Sequence, residues 1–84
     1  MHEGAVCREI VDIVSRSAKE NDITKVYEIV VAVGEYSCVN EHQLNIYFDV
    51  MTKGSCMESA RIRLIKDLSL TGPSQMYVKT YRGE

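Results

Sequence analysis

Between Ala5 and Ala18 the apolar residues Val6, Ile10, Ile13, Val14 and Ala18 recur at i, i+4, i+7, i+8 and i+12, with Arg8, Glu9, Asp12, Arg16 and Lys19 on the other faces. That spacing predicts an amphipathic helix with one buried stripe. Asn21 and Asp22 favour turns over helix interior and mark its end. The period then shortens from Lys25 to Val33, with Tyr27, Ile29, Val31 and Val33 on one side and Val26, Glu28, Val30 and Ala32 on the other. A β-branched run with apolar residues on both sides predicts a central strand, closed by Gly34.

Asn40 followed by Gln43 has capping-box spacing, and Leu44, Tyr47, Phe48 and Met51 follow at i, i+3, i+4 and i+7, which predicts a second amphipathic helix. It should stop near Thr52-Lys53-Gly54, with Gly54 at the C′ position. Ser59 to Lys66 alternates again, with Ala60, Ile62 and Leu64 inward, and Met76 to Tyr81 alternates as a third strand. The turn-rich stretch Asp67 to Gln75, containing Gly72-Pro73, joins them. The order α-β-α-β-β predicts an α+β fold in which two helices pack on one face of a small three-stranded mixed sheet.

The chain has 84 residues, so one hydrophobic core and a single domain spanning 1–84 are expected. Ten Lys and Arg against twelve Asp and Glu give a net charge of −2, which weighs against a basic nucleic-acid arm. Arg61, Arg63 and Lys66 with Lys79 and Arg82 read as a solvated strand face. The longest apolar run, Ile29 to Val33, is far short of the roughly 20 residues of a membrane helix. The start of the chain carries no export signal, and a cytoplasmic protein is expected. Cys7, Cys38 and Cys56 are widely spaced with no Cys-x-x-Cys pair, so neither a disulfide framework nor a zinc site is expected. Cys7 and Cys38 read as small buried or half-buried fillers and Cys56 as a loop residue. No serine stands in a nucleophile elbow and no glycine-rich phosphate loop occurs, so enzymatic readings fall away.

The chemistry that remains is at the N-terminus. A bulky residue at position 2 protects Met1 from removal, leaving its amine free beside His2. That amine, the deprotonated His2 amide and the His2 imidazole can close two adjacent chelate rings on one ion, with Glu3 supplying a fourth donor through its amide or carboxylate. A planar, nitrogen-rich set suits Ni(II) or Cu(II) better than Zn(II). By composition alone the competing reading is a solvated terminal histidine. His42, in the first turn of the second helix beside Glu41 and Asn40, is a weaker further donor, with an exposed helical histidine as the alternative.

Met1-His2-Glu3 opening a helix, Val31-x-Val33-Gly34-Glu35-x-Ser37, Phe48-Asp49-Val50-Met51-Thr52-Lys53-Gly54 and Glu58-Ser59-Ala60-Arg61-Ile62, in that order, resemble the HypA/HybF family from Met1 to about Lys66. The resemblance implies a non-enzymatic nickel metallochaperone of hydrogenase maturation and, in some bacteria, of urease maturation. It implies Ni(II) held by Met1, His2 and Glu3 and passed to a partner GTPase and then to the hydrogenase large-subunit precursor. A homodimer is also compatible with the edge strands. Relatives insert a zinc domain with two Cys-x-x-Cys pairs after the second strand. Here residues 67–75 run directly into the closing strand, so no zinc domain is expected. Asn40 stands where some relatives carry an acidic residue near the nickel, which makes it at best a weak ligand. The alternative is a protein-interaction module that retains the fold without metal delivery.

Overall fold

A computed structural model describes residues 2–84. Helix α1 spans Glu3–Glu20, strand β1 Val26–Val33, helix α2 Glu41–Met51, strand β2 Arg61–Lys66 and strand β3 Met76–Gly83. The sheet order is β2-β1-β3, with β1 parallel to β2 and antiparallel to β3. The parallel pair requires a crossover, and α2 supplies it. The α-β-α-β-β order and the mixed sheet are therefore as the periodicity predicts.

The core lies between the helices and one sheet face. Val6, Ile10 and Val14 of α1 and Leu44 and Phe48 of α2 pack with Ile29, Val31 and Val33 of the central strand and Ile62 of β2. α1 begins two residues before the periodic run and ends, as expected, at Asn21-Asp22. It stops in a Schellman turn: Ile23 N donates to Ala18 O (2.8 Å) and Asp22 N to Lys19 O (3.4 Å), with Asp22 in the left-handed region at φ 55. An aspartate tolerates that conformation better than most residues. α2 begins as the capping box predicts, with Asn40 Oδ1 accepting from Gln43 N at 2.9 Å. Its C-cap is Thr52, so C′ is Lys53, and Gly54, at φ 78, takes the left-handed conformation one residue later than expected.

Three details depart from simple alternation. A bulge between Val26 and Glu28 shifts the phase of β1, so Val26 joins the core while Tyr27 turns out to donate to Glu84 Oε1. β2 starts at Arg61 rather than Ser59, because Ser59 adopts φ 72 and Ala60 N closes a turn onto Met57 O (3.0 Å). β3 continues to Gly83, where a Cβ would meet Lys25 O; the missing side chain lets Glu84 N donate to Lys25 O at 2.8 Å.

The connection after β2 is folded onto the end of β1. Asp67 N donates to Val33 O (2.9 Å), and Asp67 Oδ1 accepts from both Ser69 N (2.9 Å) and Ser69 Oγ (2.7 Å). Tyr77 Oη donates to Asp67 Oδ2 at 2.7 Å, tying the connection to the start of β3. The loop crosses Gly34 so closely that a Cβ there would lie 2.8 Å from Leu70 O and 3.1 Å from Gly72 O. Gly34→Ala is therefore expected to displace backbone rather than a side chain and to lower stability by about 1–3 kcal/mol in urea unfolding.

The same hydrogen bonds, Ser69 first and then Tyr77, hold the Asp67 carboxyl down from its ordinary 3.8 to about 2. Because folding lowers this pKa, the stabilisation is complete above the unfolded value and fades as pH falls from about 4 towards 2. Asp67→Asn should be less stable than the parent at neutral pH, with the difference closing over that window in acid-unfolding curves.

Candidate metal centre

The N-terminus of α1 and the start of α2 come together because both helices cross the same sheet face. His2 is the N-cap residue of α1, extended at φ −91 and ψ 133, and its carbonyl accepts from Val6 N at 3.1 Å. Its imidazole makes no capping hydrogen bond and is exposed. An N-cap residue keeps its own N–H outside the helical ladder, so the His2 amide can lose its proton to a metal without breaking a helical hydrogen bond. Glu3, in the first turn, is half-buried, and its Oε2 accepts from Asn40 N at 3.4 Å. One residue further on, Gly4 faces the Tyr47 ring of α2, where a Cβ would lie 3.6 Å from Cε1.

The structure therefore brings Glu3 and Asn40 together and leaves His2 free at the rim. Met1 lies outside the described residues. The Asn40 side chain is already committed to capping α2, so its contact with the site is its backbone N–H, directed at Glu3. His42 is not brought to Glu3. At 100° per residue it projects from the flank of α2 away from Tyr47 and Asn40, into a trough shared with Asn45, Ile46, Asp49 and Arg61. Among the described residues no three His, Cys, Asp or Glu side chains converge into a ready-made metal site.

The cysteines stand apart from this region's chemistry. Cys7 is fully buried in α1, and burial pushes its thiol up to about 11, against a smaller lowering by Arg8, so it is a core thiol. Cys38 is not the buried or half-buried filler expected, whereas Cys56 lies in a loop as expected. Cys38 is exposed in the loop after β1, and Cys56 is half-buried because its carbonyl accepts from Val26 N (2.8 Å) and its side chain packs on the core. The basic residues of β2 are engaged: Arg61 pairs with Asp49, Arg63 Nε lies 3.8 Å from Glu28, and Lys66 Nζ donates to Gly34 O and Glu35 O.

What α2 does to β2 was not legible in the sequence. Asn45 Oδ1 accepts from Ile62 N (2.9 Å), Asn45 Nδ2 donates to Ile62 O (2.9 Å), and Glu41 Oε1 accepts from Leu64 N (2.7 Å). These two side chains fix α2 against the sheet and thereby set where Asn40 meets Glu3. The available signal was a polar pair at i, i+4 on a flank of the helix bordering the buried stripe.

Residues 1–71 match the family model described as "Hydrogenase/urease nickel incorporation, metallochaperone, hypA". The chain belongs to the HypA family. The HypA hydrogenase maturation factor of Legionella pneumophila strain Lens is 35% identical over 66 residues, covering 79% of this chain and 58% of that protein. The HypA factor of Methanothermobacter thermautotrophicus is 34% identical over 64 residues, 76% of this chain and 52% of its own length. This HypA-family chain thus spans little more than half the length of these relatives. Its fold is that of the solution structure of the nickel metallochaperone HypA from Helicobacter pylori, with a TM-score of 0.77 at 17% identity, covering 99% of this chain and 97% of the other. The family is one of metallochaperones. No helix among the described residues is long and apolar enough to cross a membrane.

Proposed function

We propose that this HypA-family chain binds Ni(II) at its N-terminus and hands it to a partner during maturation of a nickel enzyme, a [NiFe]-hydrogenase or a urease. The donors are the Met1 amine, the His2 amide and imidazole, and Glu3, through its amide or carboxylate. The observation that carries this reading is His2 itself: an exposed N-cap residue whose ring makes no capping hydrogen bond, next to a carboxylate held by the start of α2. The terminal amine and the His2 amide must lose a proton to bind, so affinity rises with pH. A site at the solvent edge can surrender its ion by exchanging one donor at a time, which suits delivery better than storage. Asn40 contributes by orienting Glu3 and not as a ligand, and His42 lies outside the first set of donors.

The receiving partners are the nickel-delivery GTPase of hydrogenase maturation and the large-subunit precursor. In cells lacking their own HypA, this chain should restore nickel-dependent hydrogenase activity, and His2→Ala should abolish the restoration at equal protein levels. Restoration by His2→Ala equal to that of the parent would contradict the proposal and favour an interaction module without metal delivery.

A further inference from the structure

The two edges of the sheet are treated differently. On β2 the outward N–H and C=O of Ile62 are taken by Asn45 and the N–H of Leu64 by Glu41, so α2 side chains guard that edge. β3 has β1 as its sole neighbour in the sheet, and among the described residues no hydrogen-bond partner meets the backbone groups on its outer side. It is eight residues long, and such an edge is a template for another strand unless it is guarded. Beside it runs a shallow cleft between α1 and β3, walled by Ile13 and Ser17 on one side and Val78 and Tyr81 on the other. Ile13 is 40% exposed there, an apolar residue of α1 left outside the core.

Charge decides what fits. β3 carries two cations, Lys79 and Arg82, and no acidic residue; Arg82 stands opposite Glu28 in the ladder and over the Tyr27 ring, and Lys79 is near enough to Asp67 to help hold its carboxyl down. Lys79 is the extra residue of the bulge that faces Val30 and Val31, and among the described residues it forms no ion pair. Antiparallel pairing of β3 with β3 of a second copy, in the register that opposes position 79 to position 82, would set these cations against one another, which destabilises a strand pair. An acidic strand gains from them.

We infer that the β3 edge receives an extended, acidic segment of a partner protein as a fourth strand, by β-augmentation. Its main chain pairs with the outer groups of β3, apolar side chains on one face lie against Ile13, Val78 and Tyr81, and its carboxylates approach Lys79 and Arg82. The segment would lie along α1, on a different side of the fold from the outward flank of α2.

The test uses a blocked octapeptide of alternating valine and glutamate, followed by fluorescence anisotropy and by amide hydrogen exchange. Bound peptide should slow exchange in residues 76–83 and leave 61–66 unchanged. Lys79→Glu should weaken binding about fivefold or more, since an attractive pair becomes a repulsive one. Of two peptides N-methylated at alternate residues, the one blocked on its pairing edge should lose binding, a readout that requires no change to the protein. The inference is overturned if about 1 mM peptide leaves exchange in β3 unchanged. It is equally overturned if both N-methylated peptides bind like the parent, or if β3 amides slow with protein concentration alone, which would mark pairing between copies.

Discussion

Phe48→Ala should remove about 3–5 kcal/mol of unfolding free energy, the usual range for deleting a fully buried aromatic ring. Phe48 is fully buried and belongs to the cluster that joins both helices to the sheet. A chain of 84 residues is expected to have roughly 4–13 kcal/mol in all, so this one change takes a large share of it. Its consequence reaches the proposed site. Phe48 anchors the middle of α2, and the start of that helix presents Asn40 N to Glu3. Urea unfolding should show a lower midpoint with an unchanged slope, and the variant should bind Ni(II) less tightly whenever α2 has loosened. A loss below about 1 kcal/mol would mean that the ring is not the keystone its burial indicates.

Acetylating the Met1 amine should weaken Ni(II) binding by about a hundredfold or more, roughly 2.7 kcal/mol, while leaving the fold unchanged. The modification removes one nitrogen donor and, with it, the chelate ring that the amine shares with the His2 amide. α1 begins at Glu3, so its ladder is untouched, and stability should stay within about 0.5 kcal/mol of the parent. Paired thermal melts and metal titrations separate the two effects. An N-terminal tag acts in the same way, so an affinity fusion at this end would conceal the site. Equal Ni(II) affinity with and without acetylation would place the donors elsewhere in the chain.

Elements governed by local pattern were readable from the residues: the 3.6-residue period of α1, the Asn40 cap of α2 and the β-branched β1 all formed where the sequence indicates. Alternation failed where the backbone itself deviates. Tyr27 left the core through a bulge, and Ser59 left β2 through its positive φ; neither event carries a hydrophobic signature. Edges were the second blind spot, because capping of Ile62 and Leu64 by Asn45 and Glu41 depends on how a helix settles across a sheet. The metal donors proposed here rest on a different kind of signal. A terminal Met-His pair is chemistry within consecutive residues, so no long-range contact is needed to assemble its nitrogens. The link from Glu3 to Asn40, 37 residues apart, is the tertiary addition. In the proposed site it makes Asn40 a support for Glu3.

The most direct test of the central claim is calorimetric titration of the untagged protein with Ni(II), beside His2→Ala and beside Zn(II). Close to one Ni(II) per chain, weaker binding of Zn(II), and loss of the Ni(II) heat in His2→Ala are expected. Ni(II) binding no tighter than about 100 μM, equivalent to roughly −5.5 kcal/mol, or an unchanged titration in His2→Ala, would contradict it.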